Sequence, residues 1–311
     1  MARFLVIYTG GTIGMKMGEQ GLAPDRDTVI HALDGFKSQM DFDLHLCDPL
    51  IDSSAITLQH WFDLIELIRE CHQQYMGVLV IHGTDTLAYT ASILTFFLQD
   101  IAKKIVLTGA QYPLGHPNSD GLINLQRAID VLIKTDIQDV LIVFGDKLLK
   151  GTDATKVDTV SYGAFDAVFE SPLGIFSEEG LLLTDQNRLI QKPDDILAQP
   201  KKLNVQLKIA TYILTPGINS TLIAHSLLNE PTHAAILLSF GNGNIPQSPV
   251  LIQAITQYTQ TGRVLMNKSQ VFKGVMNDVY AQSSALYQAG AKMAGNVTLE
   301  ALMAKLLFEL S

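Results

Sequence analysis

The chain has 311 residues, of which 47% are hydrophobic and 17% charged, and its formal net charge is −9. This length exceeds what one small core needs, so we expect one large or two unequal domains. Acidic and basic residues are interspersed without a Lys/Arg cluster, which disfavours nucleic acid and anionic membranes as main partners.

The chain also lacks the sequence patterns typical of membrane-spanning and secreted proteins. It has no run of about 18 apolar residues that would predict a membrane span, and its N-terminus does not resemble a secretory signal. Its two cysteines, Cys47 and Cys71, allow one disulfide arithmetically, but two free thiols are more typical of such a chain. We therefore expect a cytoplasmic protein.

Apolar runs and amphipathic segments alternate through the first half of the chain. The predicted strands lie near 3–8, 43–48, 77–82, 104–109 and 139–145, and the predicted helices near 26–38, 57–74, 85–99 and 119–134. This alternation predicts βαβ units and a mostly parallel sheet that is covered on both faces.

The regular alternation of predicted strands and helices stops after residue 145. Short apolar pieces within 150–186 predict a β-hairpin, and the proline-containing stretch 190–206 predicts a linker. Alternation then resumes, with predicted strands at 208–214, 233–239 and 263–267 and predicted helices at 219–228, 248–261 and 298–309. The fold class is thus α/β, with a larger, doubly wound N-terminal domain (1–189) and a smaller C-terminal α/β domain (207–311).

The first motif is TGGTIG at Thr9–Gly14, directly after the first predicted strand. A dinucleotide-binding GxGxxG turn would need glycine where Thr9 stands, and no Lys-Ser/Thr follows to complete a phosphate-binding loop. A purely structural glycine turn is one interpretation. The other is that the glycines let the backbone approach a ligand while Thr12 offers its hydroxyl as a nucleophile.

The second motif is HGTDTLAYTAS at His82–Ser92, after the apolar run Val78–Ile81. Its threonines and Asp85 are residue types that cap a helix N-terminus. The free N–H groups at such a terminus also suit a developing oxyanion, and Asp85 suits a substrate ammonium group. Capping and catalysis are compatible here. Ligands bind at the carboxyl ends of parallel strands, so both motifs stand where a site is expected.

Together these motifs resemble the two signature regions of the bacterial-type L-asparaginase family, most closely its cytoplasmic, type I branch. Further matching segments are Ile51–Ser54, Leu107–Gly115, Asn118–Leu125, Thr155–Thr159 and Ser239–Pro246. The resemblance runs essentially end to end. It implies hydrolysis of L-asparagine, and as a second candidate L-glutamine, through a threonine nucleophile without a cofactor.

By this resemblance, Thr12 attacks the side-chain carboxamide, and Thr84 acts in a unit with Asp85 and Lys156. A direct attack by water, assisted by Thr84 and Lys156, is a variant that stays open. The resemblance also implies a homodimer or homotetramer, in which Asn244 reaches the site of a neighbouring subunit.

Three further positions are implied to bind the substrate. Ser53 holds the α-carboxylate while Asp85 holds the α-amino group, Ser54 helps to line the pocket, and the backbone carbonyl of Ala110 accepts from the leaving amide. Histidines at metal-ligand spacing and CxxC pairs are absent from the sequence, so we expect no metal site.

One position departs from the family pattern. A tyrosine in the loop after the first threonine helps to activate it in the family, and Leu22 occupies that position here. Leu cannot transfer a proton, so an amino-acid-binding homologue with weak or no activity is the alternative function. A dinucleotide-dependent oxidoreductase is the least favoured hypothesis, because Thr9 breaks the glycine pattern.

Overall fold

The computed structural model describes residues 3–18, 21–184, 200–217, 220–274 and 281–311, with the backbone alone at 281–283. It divides into two compact units, Met1–Leu203 and Asn204–Ser311. Most of the predicted 190–206 linker lies outside the described residues, so the domain bounds 1–189 and 207–311 stay predictions. None of the described helices is long and apolar enough to cross a membrane.

The N-terminal unit contains twelve described strands and four described α-helices. The strands are β1 (Arg3–Tyr8), β2 (Met15–Gly18), β3 (Gly21–Pro24), β4 (Asp41–Leu46), β5 (Gly77–Ile81), β6 (Lys104–Thr108), β7 (Val140–Phe144), β8 (Lys147–Lys150), β9 (Ala154–Lys156), β10 (Phe165–Ala167), β11 (Gly174–Ser177) and β12 (Gly180–Leu183). The helices are α1 (Arg26–Asp34), α2 (Leu58–Cys71), α3 (Leu87–Phe97) and α4 (Gly121–Lys134).

Eight of these strands form one sheet in the order β12-β11-β8-β7-β6-β5-β1-β4. The strands from β4 to β7 pair in parallel, whereas β8, β11 and β12 pair antiparallel at one edge. Strands β5, β6 and β7 are buried along their whole length, which explains why they read as continuous apolar runs rather than alternating ones. The predicted mixed α/β class and the predicted hairpin β11–β12 are confirmed.

The central strands carry apolar side chains on both faces. Val6, Leu79 and Val106 belong to a core cluster that includes residues of α1 and α4, such as Val29 and Leu125. Successive side chains of a strand point to opposite faces, so the intervening apolar residues pack on the other side. There, α3 contacts β6 and β7, and α2 contacts α3.

The sequence did not predict the hairpin formed by β2 and β3, which follows the first motif directly. Its residues are mostly exposed, and the strands are only four residues long, so the stretch lacks the apolar alternation that identifies a strand. Strands β8, β9 and β10 were also missed, because three or four residues are too few to show an apolar alternation. Helix α3 begins at Leu87, two residues after its predicted start.

The C-terminal unit has a parallel four-stranded sheet between two layers of helices. Its strands are β13 (Ile209–Ile213), β14 (Ala234–Ser239), β15 (Val264–Ser269) and β16 (Lys292–Met293), in that order across the sheet. Its helices are α5 (Ser220–Asn229), α6 (Pro249–Gln260), α7 (Ala281–Gln288) and α8 (Leu299–Leu310). One core cluster joins the sheet to α5, α6 and α7, and a second joins it to α8.

Two helices of this unit, α6 and α8, begin directly after a capping residue. Thr298 precedes α8, and its hydroxyl accepts a hydrogen bond from the backbone N–H of Ala301 at 3.0 Å. Ser248 caps α6 in the same way, with a proline in the first turn. Helix α7 and the two-residue strand β16 were not predicted.

Candidate active site

Two turns rich in glycine and threonine meet at the carboxyl ends of β1 and β5, which are adjacent parallel strands. We call Thr9–Gly14 the first threonine turn and His82–Thr86 the second threonine turn. Gly11 has a φ of +100°, and a Cβ at this position would lie 2.4 Å from the Cα of Gly83. The two turns are therefore in direct backbone contact, which requires glycine at this position.

Two further strand ends reach the same place. A Cβ on Gly109, which follows β6, would lie 2.3 Å from the carbonyl oxygen of His82. The segment after β4 is tied to the first threonine turn, because the N–H of Ile51 donates to the carbonyl of Thr9 at 2.7 Å. Four strand ends thus converge at the edge of the sheet where the predicted site residues stand.

Lys156 connects the second threonine turn to β9. Its Nζ donates to the Oγ1 of Thr84 at 2.9 Å and to the Oδ1 of Asp85 at 2.8 Å. The side chain of Lys156 is 21% exposed and that of Asp85 is 58% exposed. An ion pair this exposed adds at most about 1 kcal/mol to stability. Its significance is chemical, because it holds a lysine against a buried threonine hydroxyl.

The structure brings Ser53 to the same turn. Ser53 is 4% exposed, and its Oγ lies 2.5 Å from where a Cβ on Gly83 would be. Its carbonyl accepts from the Oγ1 of Thr86 at 2.8 Å. Thr86 makes no side-chain cap on α3, so the helix-capping interpretation of this residue is wrong. Its hydroxyl instead links the Ser53 segment to the second threonine turn.

Ser54 is exposed, and its hydroxyl donates to the Oδ1 of Asp52 at 2.9 Å. The backbone N–H of Ser54 donates to the same oxygen at 3.0 Å. The two serines therefore differ. Ser53 packs against the second threonine turn, whereas the hydroxyl of Ser54 is engaged within its own turn.

Thr12 is half-buried and begins a single 3-10 turn that leads directly into β2. Across the hairpin, Leu22 on β3 lies opposite Met17 on β2. Leu22 is 46% exposed. Leu22, the position at which we expect the family tyrosine from the sequence, is thus on an exposed hairpin that is continuous with the turn carrying Thr12.

Tyr8 is the tyrosine nearest to Thr12 along the chain. It lies at the end of β1 and is fully buried, and its hydroxyl is 2.0 Å from where a Cβ on Gly14 would be. Burial, with a smaller contribution from Asp25, raises the pKa of Tyr8 far above its ordinary value. Tyr8 therefore stays protonated at neutral pH and cannot act as a base.

Buried hydrogen bonds behind the second threonine turn hold it in place. The Nδ1 of His82 lies 2.7 Å from the carbonyl oxygen of Gly83, and its Nε2 lies 3.0 Å from the Oγ1 of Thr90 on α3. The same Oγ1 accepts from the indole N–H of Trp61 on α2 at 2.9 Å. Burial lowers the pKa of His82 to about 4, so the ring is neutral at pH 7 and serves as a packed bridge rather than a base.

Ala110 is 1% exposed and follows Gly109 in the segment after β6. Two side chains outside the two motifs bind the peptide groups on either side of it. Asp120 accepts from the N–H of Gln111, and Asn124 donates to the carbonyl of Gly109, each at 3.0 Å. Both residues lie in the matching segment Asn118–Leu125, where an acid and an amide four positions apart share one face at a helix start.

Asn244 lies in the C-terminal unit, in a tight turn that begins at Phe240. The backbones of the two residues bond to each other in both directions at 2.9 Å. The Oδ1 of Asn244 is buried without a hydrogen-bond partner in the described structure. The expected contact of Asn244 with a neighbouring subunit stays a prediction.

The cluster at the sheet edge contains the parts that amide hydrolysis needs. Thr12 and Thr84 supply hydroxyls, Lys156 places an amino group in hydrogen-bond contact with Thr84, and the second threonine turn presents backbone N–H groups at the start of α3. Within the described ranges, no group of three or more His, Cys, Asp or Glu side chains is placed to hold a metal ion.

Comparison with known proteins identifies the family to which the chain belongs. Residues 3–188 match the family described as "Asparaginase, N-terminal", and residues 208–311 match "Glutaminase/Asparaginase C-terminal domain". L-asparaginase 1 of Escherichia coli is 35% identical over 98% of this chain and 91% of its own length. A human protein named 60 kDa lysophospholipase is 31% identical over 99% of this chain but 57% of its own length.

Solved structures agree. The crystal structure of L-asparaginase I from Vibrio cholerae superimposes with a TM-score of 0.85 at 32% identity, covering 99% of this chain and 92% of that one. Both halves of the chain match the family, and the resemblance inferred from the two motifs is confirmed. This chain belongs to the asparaginase family.

Proposed function

We propose that this protein is an L-asparaginase, which hydrolyses the side-chain amide of L-asparagine to give L-aspartate and ammonia. The observation that carries the proposal is the 2.9 Å hydrogen bond from Lys156 to Thr84, on a turn whose backbone packs against the turn carrying Thr12. Similarity to L-asparaginase 1 of Escherichia coli along nearly the whole chain supports the same reaction.

Thr12 is the proposed nucleophile. Its Oγ1 forms a bond to the carboxamide carbon, the C–N bond breaks, and the hydroxyl proton leaves with the nitrogen as ammonia. Water then attacks the resulting ester, so that its hydroxide joins the acyl carbon as L-aspartate and its proton returns to the oxygen of Thr12. Together the two steps consume L-asparagine and one water molecule, release L-aspartate and ammonia, and require no cofactor.

Thr84, Lys156 and Asp85 form the proposed proton-transfer group. The direct contact between Lys156 and Thr84 provides a path for a proton. Asp85 accepts a second hydrogen bond from the Nζ of Lys156 and so holds that side chain in place. In the single-step variant this group activates a water molecule that attacks the amide directly. Both routes use the same residues and differ in whether Thr12 becomes acylated.

The zwitterionic end of the substrate also has proposed partners. The exposed carboxylate of Asp85 suits the α-ammonium, and Ser53, which packs on Gly83, suits the α-carboxylate. Ser54 would line the pocket from the same turn, and the Ala110 carbonyl would accept from the amide nitrogen. L-Glutamine differs by one methylene, which changes binding by about 1–3 kcal/mol.

The proposal extends to assembly and location. We infer a homodimer or homotetramer in which Asn244 contributes to the site of a neighbouring subunit, and a cytoplasmic location as in the type I branch. Analytical ultracentrifugation measures the number of subunits directly. Asn244→Ala should reduce activity, while the same substitution at the exposed Asn229, whose amide donates to the carbonyl of His225, should not.

Ammonia release from L-asparagine and L-glutamine tests the proposed function. Wild type should release ammonia from L-asparagine, and Thr12→Ala should abolish this release. Thr9→Val is the matched control, because it removes a threonine hydroxyl of the same turn that donates to the carbonyl of Ile81. Tight binding of L-aspartate without ammonia release from either substrate would instead support the amino-acid-binding alternative.

A further inference from the structure

Two buried polar side chains lie behind Ala110, where β6 gives way to the segment leading into α4. Asp120 is 4% exposed, and Asn124 on the first turn of α4 is fully buried. Neither contacts Lys156, Thr84 or Asp85 through any hydrogen bond that the described structure contains. Burial of a carboxyl group and an amide carries a desolvation penalty unless both are hydrogen-bonded. Their hydrogen-bond partners therefore indicate their role.

Asp120 is fully engaged by the backbone on one side of Ala110. Its Oδ1 and Oδ2 each accept from the N–H of Gln111 at 3.0 Å, and Oδ1 also accepts from the N–H of Tyr112 at 3.0 Å. The Nδ2 of Asn124 donates to Oδ2 at 3.0 Å. Every partner is a donor, so the group acts as a carboxylate acceptor.

Asn124 engages the backbone on the other side. Its Nδ2 donates to the carbonyl of Gly109 at 3.0 Å, and its Oδ1 accepts from the N–H of Gly145 at 3.1 Å. Gly145 follows β7, so this one side chain spans the ends of two neighbouring strands. The peptide before Ala110 and the peptide after it are therefore both fixed by buried side chains.

Because the peptide group is planar, these hydrogen bonds also fix the direction of the Ala110 carbonyl. The N–H of Gln111 and the C=O of Ala110 belong to the same planar, trans peptide group, in which they point in opposite directions. Holding the N–H against Asp120 therefore aims the carbonyl oxygen of Ala110 away from Asp120. The carboxylate also polarises that peptide, which strengthens its carbonyl as an acceptor.

We propose that Asp120 and Asn124 are positioning residues that aim and polarise the Ala110 carbonyl toward the amide nitrogen of the substrate. This inference rests on the proposed function. Its consequence is specificity for amides, because only a leaving group that bears N–H can donate to this carbonyl. An ester of the same acid reacts at the same carbon but gains nothing from a correctly aimed Ala110.

The test compares L-asparagine with L-aspartate β-methyl ester as substrates for the same enzyme preparation. The measured quantity is the ratio of kcat/KM for the amide to kcat/KM for the ester. The concentration of folded enzyme cancels in this ratio, so a variant that folds incompletely still gives a valid result. Ammonia is measured for the amide and methanol for the ester.

Asp120→Asn is the first variant, because it keeps the shape of the side chain but places an NH₂ group among backbone donors. Asn124→Ser is the second, because its short hydroxyl cannot span Gly109 and Asp120. We expect each to lower the amide-to-ester ratio about 3- to 10-fold, the value of one hydrogen bond to the reacting amide.

Asp153→Asn is the matched control. Asp153 is 7% exposed and accepts from two consecutive backbone N–H groups, those of Phe169 at 3.0 Å and Glu170 at 2.9 Å. The substitution removes a comparable buried carboxylate from a loop that does not include Ala110. It should lower the melting temperature and leave the ratio unchanged.

Equal losses on amide and ester in Asp120→Asn and Asn124→Ser, as for a purely structural residue, would overturn the inference while leaving the proposed function intact. A wild type that cleaves neither substrate would overturn the proposed function, and this inference with it.

Discussion

The two threonine turns occupy equivalent places at adjacent strand ends, but they are held in different ways. Side chains hold the second turn through Lys156, Thr86 and the buried bridge of His82. Backbone contacts mainly hold the first turn, where Gly11 packs on Gly83 and the chain runs on into an exposed hairpin, and one side-chain bond joins Thr9 to the carbonyl of Ile81. Chemistry at the second turn should therefore be sensitive to side-chain removal, and the first turn to added bulk.

Among the changes that compare how the two turns are held, removal of the Lys156 amino group should have the largest effect. Lys156→Met should lower kcat for L-asparagine by about 10²- to 10⁴-fold, because it removes the proton-transfer partner of Thr84. Lys147→Met is the matched control, since Lys147 is equally buried and pairs with Asp166 at 2.9 Å. Similar losses in both variants would show that any partly buried ion pair of this unit matters equally.

A larger side chain in the first turn should have the second-largest effect. Gly11→Ala should destabilise the protein by about 3–5 kcal/mol, because its Cβ meets the backbone of Gly83 and its φ of +100° is strained for alanine. Gly21→Ala has a similar φ of +109° but nothing within 4 Å of its Cβ, so it should cost only about 1–2 kcal/mol. Denaturant titration measures both, and equal losses would refute the packing argument.

The bridge behind the second turn predicts a pH effect on stability. His82 stays neutral in the folded protein down to its pKa of about 4, whereas in the unfolded chain it gains a proton below about pH 6.5. Between these values the unfolded state binds the extra proton, so stability falls as the pH falls, by about 1.4 kcal/mol per unit. His82→Gln should remove about 3 kcal/mol of this dependence between pH 7 and pH 4. An unchanged pH dependence in the variant would contradict the neutral bridge.

The hairpin after the first turn should show the smallest effect. Leu22→Tyr should raise kcat by less than about tenfold, because one added hydrogen bond to Thr12 contributes about 0.5–1.5 kcal/mol. Met17→Tyr, which adds the same phenol on the opposite strand, is the control and should not raise kcat. No increase for Leu22→Tyr in an active enzyme would mean that another group activates Thr12.

The sequence predicted the features that depend on local pattern. The buried runs at β5, β6 and β7 identified the sheet, and the glycines and threonines after β1 and β5 identified the site edge. The hairpin of β2 and β3 was missed, because its exposed residues have no apolar period. The role of Thr86 was missed because its partner, the Ser53 carbonyl, is 33 residues away and no spacing rule connects them.

The same limit applies to the positioning residues. Asp120 and Asn124 form a recognisable pair four residues apart, yet the backbone groups they bind belong to β-strand ends that only the folded sheet brings together. Lys156 illustrates the opposite case. Without a family resemblance it is an ordinary lysine, and only the folded structure shows that its position on β9 lies within hydrogen-bond distance of Thr84.

The central claim is that the two threonine turns form one catalytic unit, and a double-mutant cycle tests it most directly. The values of kcat/KM for L-asparagine are compared for wild type, Thr12→Ala, Thr84→Ala and the double variant. Groups that act as a unit are not additive, so the double variant should be no slower than the slower single variant. Losses that multiply in the double variant, or a Thr12→Ala enzyme as fast as wild type, would contradict the account.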